Sequence, residues 1–344
     1  MKVSLRIFFL FIVISTNGFS QKTYWQIGLV SFFDNSEFGN SNFQIPHTMA
    51  GVRFAPVIGL KWDSVHSGNI GVDLLHEYGS SKIIDNFFPT AYYQYNKKSY
   101  RFLMGAFPRK YAVDRYPRIF FQDSVSYYRP NVNGILLEYT HKKLLANFWL
   151  DWTSRQSPDN HETFFLGFSG KYNSGIFYMQ QFTYLFHFAG MMNPIVDEAL
   201  HDNGMIMTSI GLNFAKNTFL DRLEINSGWV VGLDRARSDM TGWKVHHGLL
   251  SEAKIEYKWI GLFNTFYCGN GQMYYYKDHN NELYWGDPFY RAKIYNRSDF
   301  YIKFIENKVV NINLVYSLHF AENTMYHEQL LKVSFCLNNF GVTH

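Results

Sequence analysis

The sequence predicts an all-β chain closed into an antiparallel transmembrane β-barrel of about sixteen strands. Three observations carry that expectation. The chain opens with a short apolar leader and has no later apolar run long enough for a spanning helix. About sixteen segments of roughly ten residues alternate apolar and polar side chains, the length a tilted strand needs to cross a bilayer. Short and long connections alternate strictly between them, as the two rims of such a barrel require.

The leader comes first. Met1-Lys2 and Arg6 precede the apolar run Ile7–Ile14, followed by Ser15 to Ser20 with mostly small or polar side chains. This is the pattern of a secretory signal peptide over residues 1–20, with the barrel over 21–344. No cysteine lies at the break, so lipid attachment there is not expected. Without residues 1–20 the chain carries 30 basic and 28 acidic side chains, which excludes a polybasic nucleic-acid binder. Cys268 and Cys336, the only two cysteines, fall inside apparent strands and give no disulfide framework or cysteine-rich metal site.

Alternation is clearest from Asn133 to Thr153. Ile135, Leu137 and Tyr139 precede a break at His141–Lys143, and Ala146, Phe148, Leu150 and Trp152 follow it, as in a tight hairpin. The strands are expected at 23–33, 50–63, 69–78, 89–97, 99–107, 131–141, 143–153, 163–172, 175–187, 204–214, 221–233, 243–257, 259–269, 297–306, 308–320 and 328–338. Long connections fall at 34–49, 79–88, 108–130, 154–162, 188–203, 234–242, 270–296 and 321–327. Charged side chains such as Arg53, Asp73, Arg101, Glu252 and Lys254 oppose the apolar face of their strands. Such charges cost several kcal/mol each in a dry core and little beside an aqueous lumen. Trp62, Tyr93, Tyr95, Tyr100, Tyr139, Tyr257 and Trp259 gather near the short turns, where an aromatic girdle meets the lipid–water boundary. Pro56 sits inside a strand and predicts a bulge. Asn193-Pro194 and the residues after it read as a short capped helix.

With Phe107-Pro108-Arg109 and Tyr127-Tyr128-Arg129-Pro130 added to this architecture, the chain resembles the porin-like outer-membrane barrels of Gram-negative bacteria, of the Bacteroidota type. Such barrels commonly end in a strand with a terminal aromatic that assists assembly. Here Leu331, Val333, Phe335 and Leu337 alternate, but the chain runs on to Phe340 and four more residues.

The function expected from this reading is passage of small hydrophilic solutes through a charged lumen in the cell outer membrane, and not catalysis. The expected partners are outer-membrane lipid, the solutes and the barrel-assembly machinery; no cofactor, metal or nucleic acid is expected. Arg109, Arg115 and Arg118 in the 108–130 segment would form a basic constriction, with Arg53, Asp73, Arg101, Glu252 and Lys254 along the lumen. Tyr275, Tyr284 and Trp285 offer flat rings for an amphipathic ligand. Catalytic spacing is poor: Gly167-Phe168-Ser169-Gly170 lacks the nucleophile-elbow spacing, and His161-Glu162 lacks a second histidine. Two alternatives stay open. One is an outer-membrane barrel enzyme acting on lipid or lipopolysaccharide through a Ser–His pair that no spacing identifies. The other is a secreted carbohydrate-binding β-protein.

Overall fold

The computed structural model describes residues 21–193, 200–238 and 242–339. The expected signal peptide, most of the expected helix after Asn193, and Phe340 lie outside the described residues. The strands are β1 (Lys22–Glu37), β2 (His47–Lys61), β3 (His66–Glu77), β4 (Asn86–Lys97), β5 (Tyr100–Pro108), β6 (Asn131–His141), β7 (Leu144–Ser154) and β8 (Thr163–Ser174) in the first half. The second half holds β9 (Phe177–Phe188), β10 (His201–Asn213), β11 (Arg222–Ala236), β12 (Lys244–Tyr257), β13 (Ile260–Gly269), β14 (Ile294–Glu306), β15 (Val310–Ala321) and β16 (Thr324–Asn338). Each pairs antiparallel with its neighbours in sequence, and β16 closes on β1 from Gln26↔Asn338 to Glu37↔His327. The sixteen-strand barrel is therefore closed, and among the described residues no free strand edge remains.

Alternation sorts the side chains as the pleat demands. Ile58, Ile70, Ile210 and Trp229 stand exposed on the outer wall, while Leu103, Trp149, Phe165 and Leu250 are buried on the inner one. Tyr100 and Tyr139 pack with their rings 5.0 Å apart at the short-turn end, beside exposed Tyr257 and Trp259. Short turns and both ends of the described barrel share one rim, which faces the periplasm in barrels of this kind; the long connections face outward.

Several strands run further toward the outer rim than alternation foretold. β1 continues to Glu37, and β10 starts at His201 within the segment read as a loop. The added residues are polar, because that end of the wall rises past the hydrocarbon. No bulge forms at Pro56. The β2–β3 ladder skips Ala55 and Pro56 and resumes in unchanged register from Phe54↔Leu74 to Val57↔Gly71. Proline removes one donor without shifting the strand. Register shifts occur instead at Trp152/Ser154 and Lys303/Ile305.

Two long connections fold into the outer half of the lumen and fill it. The first runs from β5 to β6 and carries the short helices α1 (Lys110–Val113) and α2 (Val125–Tyr128). The second joins β13 to β14 through the kinked α3 (Tyr276–Leu283) and a single 3₁₀ turn at Pro288–Arg291. Backbone bonds Gln122 N–H to Trp285 O (2.8 Å) and Asp287 N–H to Arg118 O (2.9 Å) join them. Gly286 permits that contact, since a Cβ there would stand 2.1 Å from Ile119 O. Phe120, Phe121, Trp285, Phe289 and Tyr290 meet Trp149, Phe165, Phe182 and Phe186 of the wall in one buried aromatic cluster. Trp149 lies flat across Gly167, where a Cβ would meet its ring at 2.0 Å. Each such ring pair adds about 0.5–1.5 kcal/mol beyond its buried area. Below this plug a cavity of about 870 Å³ remains, lined by both the plug and the periplasmic half of the wall.

Candidate active site

Most of the residues expected along the lumen lie there, and most of their charges are matched. Arg53 pairs with Asp73 and also donates to Ser126 O of the plug. Arg109 is buried against Asp151 and the carbonyls of Arg129 and Asn131. Arg101 and Arg115 share Glu138, at 3.3 and 3.1 Å. Arg118 bridges Asp123 (2.8 Å) and Asp299 (2.7 Å), and Arg297 ties Asp299, Asp123 and Glu328 into the same network. Glu252 accepts from Asn226 (3.1 Å), and the Lys254 ammonium sits 4.2 Å from the Phe263 ring centre. The arginines are thus joined to carboxylates, and Arg109, Arg115 and Arg118 tie the plug to the wall. Tyr284 and Trp285 are buried within the plug: the Tyr284 hydroxyl donates to Asp234, and the Trp285 ring lies under Arg129 at 4.1 Å. Tyr275 is half-buried, with its ring 5.0 Å from that of His201.

A different cluster lies on the outside of the barrel. His187 of β9, Asp202 of β10 and Arg235 of β11 are direct cross-strand neighbours. All three have the lipid-facing parity, one turn of the pleat above Leu185, Gly204 and Leu233. Arg237 follows from the β11–β12 connection, fixed by its N–H to Leu200 O at 2.7 Å. His187 Nδ1 lies 2.7 Å from Asp202 Oδ1. Arg237 donates to the same carboxylate through Nε (2.9 Å) and Nη2 (3.1 Å), and Arg235 donates from Nε and Nη2 to Oδ2. The bond to Asp202 pushes the Arg237 guanidinium pKa up. Aromatic rings close the row at both ends. Phe164 packs on His187 at 5.1 Å with Trp152 behind it at 5.2 Å, and Trp243 lies 4.5 Å from the Arg235 guanidinium.

The chemistry follows from the donors and acceptors. A carboxylate on Nδ1 fixes that nitrogen as the protonated one and leaves Nε2 as a base. Among the described residues Nε2 has no hydrogen-bond partner, and it stands on the face that lipid reaches. Two guanidiniums against one carboxylate leave the cluster with an excess positive charge at the outer end of the wall, suited to an anionic ligand. Among the described residues no serine or threonine hydroxyl is bonded to His187.

Two other groups have hydrolase residue types and lack the arrangement. On the β3–β4 connection the Ser80 hydroxyl donates to Asp85 (2.5 Å), and His76 Nδ1 faces Lys82 O (3.1 Å), so the imidazole does not activate the serine. His319, bonded to Glu328 (3.1 Å) and Tyr295 (2.8 Å), is buried inside the barrel beyond the reach of lipid.

Sequence reasoning missed the rim cluster because it placed Asp202 in a loop and found no spacing that paired any histidine. The available signal was parity: a histidine and an aspartate on the greasy face of neighbouring strands, both at the outer end.

The fold is shared with solved outer-membrane barrels. The OmpT variant of Vibrio cholerae that lacks loop L8 superposes with a TM-score of 0.58 at 8% identity, over 92% of this chain and all of that one. A triple mutant of the Rhodopseudomonas blastica porin gives 0.52 at 11% identity, over 93% of this chain and all of that one. Pseudomonas aeruginosa OccK11 (OpdR) gives 0.53 at 8%, over 92% of this chain and 96% of that one. At such identities the likeness shows the barrel and no activity. No curated protein sequence matches the chain.

The expectation of a solute channel without catalysis is corrected by a family profile, that of the lipid A 3'-O-deacylase type, which matches residues 15–338. The family is one of outer-membrane hydrolases that modify lipid A. The physical reason that charge patterning misled lies in the lumen: charges facing an interior were read as lining a water path, whereas the outer half holds the aromatic plug they anchor. A polar lumen and matched long and short loops are shared by channels and barrel enzymes alike, and nearly the whole chain falls within the profile: this protein is a member of the lipid A 3'-O-deacylase-type family.

Proposed function

We propose that this protein hydrolyses an ester-linked acyl chain of lipid A in the outer leaflet, with His187 as general base and Asp202 as the residue that orients it. The observation that carries the reading is the 2.7 Å His187–Asp202 contact on the lipid-facing wall, at the outer end of β9 and β10. In the reaction, His187 Nε2 takes a proton from water as the water oxygen attacks the ester carbonyl. The tetrahedral intermediate then expels the sugar alkoxide, which recovers the proton from the imidazolium. Arg235 holds the headgroup by its negative charge, and Leu185, Leu233 and Ile206 beneath it offer the acyl chain an apolar wall. The test is incubation of the purified full chain, in detergent micelles, with lipid A, followed by mass spectrometry. Loss of one acyl chain is expected, with His187→Gln slowing it by about 10²–10⁴-fold. Intact lipid A after incubation with a correctly folded barrel would refute the proposal.

A further inference from the structure

The two arginines of the rim are held differently, and the difference assigns one of them a separate task. Arg235 belongs to β11, is stacked on Trp243 at 4.5 Å, and reaches only Oδ2 of Asp202. Arg237 spans both carboxylate oxygens, 2.9 Å from Oδ2 and 3.1 Å from Oδ1, and its Nη2 comes within 3.4 Å of His187 Nδ1. Its guanidinium is thus braced against the same carboxylate that orients the base. Nε and Nη2 are the nitrogens engaged, so the two N–H groups of Nη1 have no partner among the described residues. Arg237 is also the more open of the two, with 46% of its side chain accessible against 33% for Arg235.

Ester hydrolysis at His187 needs such a donor. When the water oxygen bonds to the carbonyl carbon, the carbonyl π pair moves onto oxygen, and that charge must be met beside lipid, where water is scarce. A cation braced beside the base, its Nη2 within 3.4 Å of His187 Nδ1, is the means available at this rim. From these observations we propose that Arg237 is a catalytic residue, its Nη1 donating to the oxyanion of the tetrahedral intermediate, while Arg235 serves the headgroup. The inference rests on the reading of His187 as the base.

The experiment compares kinetics of Arg237→Gln, Arg237→Lys and Arg235→Gln full-length protein in micelles. Each is run on lipid A and on a phosphate-free monoacyl glucoside ester, and folding is checked by the heat-dependent gel shift of the barrel. Arg237→Gln is expected to lower kcat by about 10²–10³-fold on both esters with KM little changed, the cost of one oxyanion donor. It is also expected to lose tight binding of a lipid phosphonate that mimics the intermediate. Arg237→Lys, which keeps the charge, recovers part of kcat. Arg235→Gln is expected to raise KM for lipid A alone. If the kcat loss in Arg237→Gln vanishes on the phosphate-free ester, or is matched by a rise in KM on lipid A only, Arg237 is a headgroup ligand and the inference fails. If the unaltered protein cleaves neither ester, the reading of the site fails instead.

Discussion

At the level of single residues, the proposed base His187 depends on its partner Asp202. Asp202 is almost wholly buried on the lipid-facing surface, under side chains that all bond to it. Its charge would be costly there if any partner were removed, because a charge taken from water is tolerated only when paired. Asp202→Asn takes away the acceptor that fixes the His187 tautomer and leaves Arg235 and Arg237 facing an amide. The expected result is a fall in kcat of about 10²-fold or more with a smaller change in KM, read by steady-state kinetics on lipid A. This part of the site was illegible in the sequence for a physical reason. Residues 187 and 202 meet only because β9 and β10 pair in one particular register, and nothing local in either segment fixes that register. Lumen charges were legible as such, since period-two alternation reports which face a side chain takes. What alternation does not report is the partner waiting across the lumen.

At the element scale, the plug depends on two connections meeting inside the barrel. Their junction is the pair of backbone bonds around Gly286, with Ile119 O pressed against the glycine. Gly286→Ala is expected to push the two segments apart and cost about 1–3 kcal/mol, as overpacking does. Hydrogen–deuterium exchange should then show faster exchange of the Gln122 and Asp287 amides, with the strands unchanged. Asp299→Asn acts from the wall side. It leaves Arg118 and Arg297 short of a carboxylate, and should loosen the plug by about 3–5 kcal/mol, the cost of breaking a buried ion pair from one side. A third element, the outer β3–β4 connection, is governed by Asp85. The Ser80 hydroxyl and the Glu77 N–H hold its carboxyl below the usual range. A lowered pKa in the folded state means stabilisation that is present above the ordinary carboxylate range and is lost as pH falls through the lowered value. Protection of the Glu77 amide, relative to its intrinsic exchange rate at each pH, should therefore fall on acidification, and Asp85→Asn should remove that pH response. Strand positions were the most legible part of the chain. Their outer ends were not, because β1 and β10 turn polar where the wall leaves the hydrocarbon, and Pro56 broke the pattern without bending the strand.

At the scale of the whole molecule, the barrel is a rigid wall that presents chemistry outward and is filled inward. An aromatic cluster in its outer half predicts low conductance in planar bilayers, and removal of residues 110–129 should raise it several-fold if those residues fill the pore. The architecture alone could not separate a channel from an enzyme, since both need a closed wall, a greasy belt and unequal loops. The two differ in where the reactive groups point. Here the candidate base faces lipid on β9, whereas His319, a histidine bonded to a glutamate, faces the lumen on β15. The most direct test is therefore tandem mass spectrometry of lipid A after incubation with His187→Gln and with His319→Gln, both confirmed as folded barrels. The account predicts that His187→Gln leaves the acyl chains in place and that His319→Gln still removes one. Deacylation that survives in His187→Gln and disappears in His319→Gln would place the chemistry inside the barrel and contradict it.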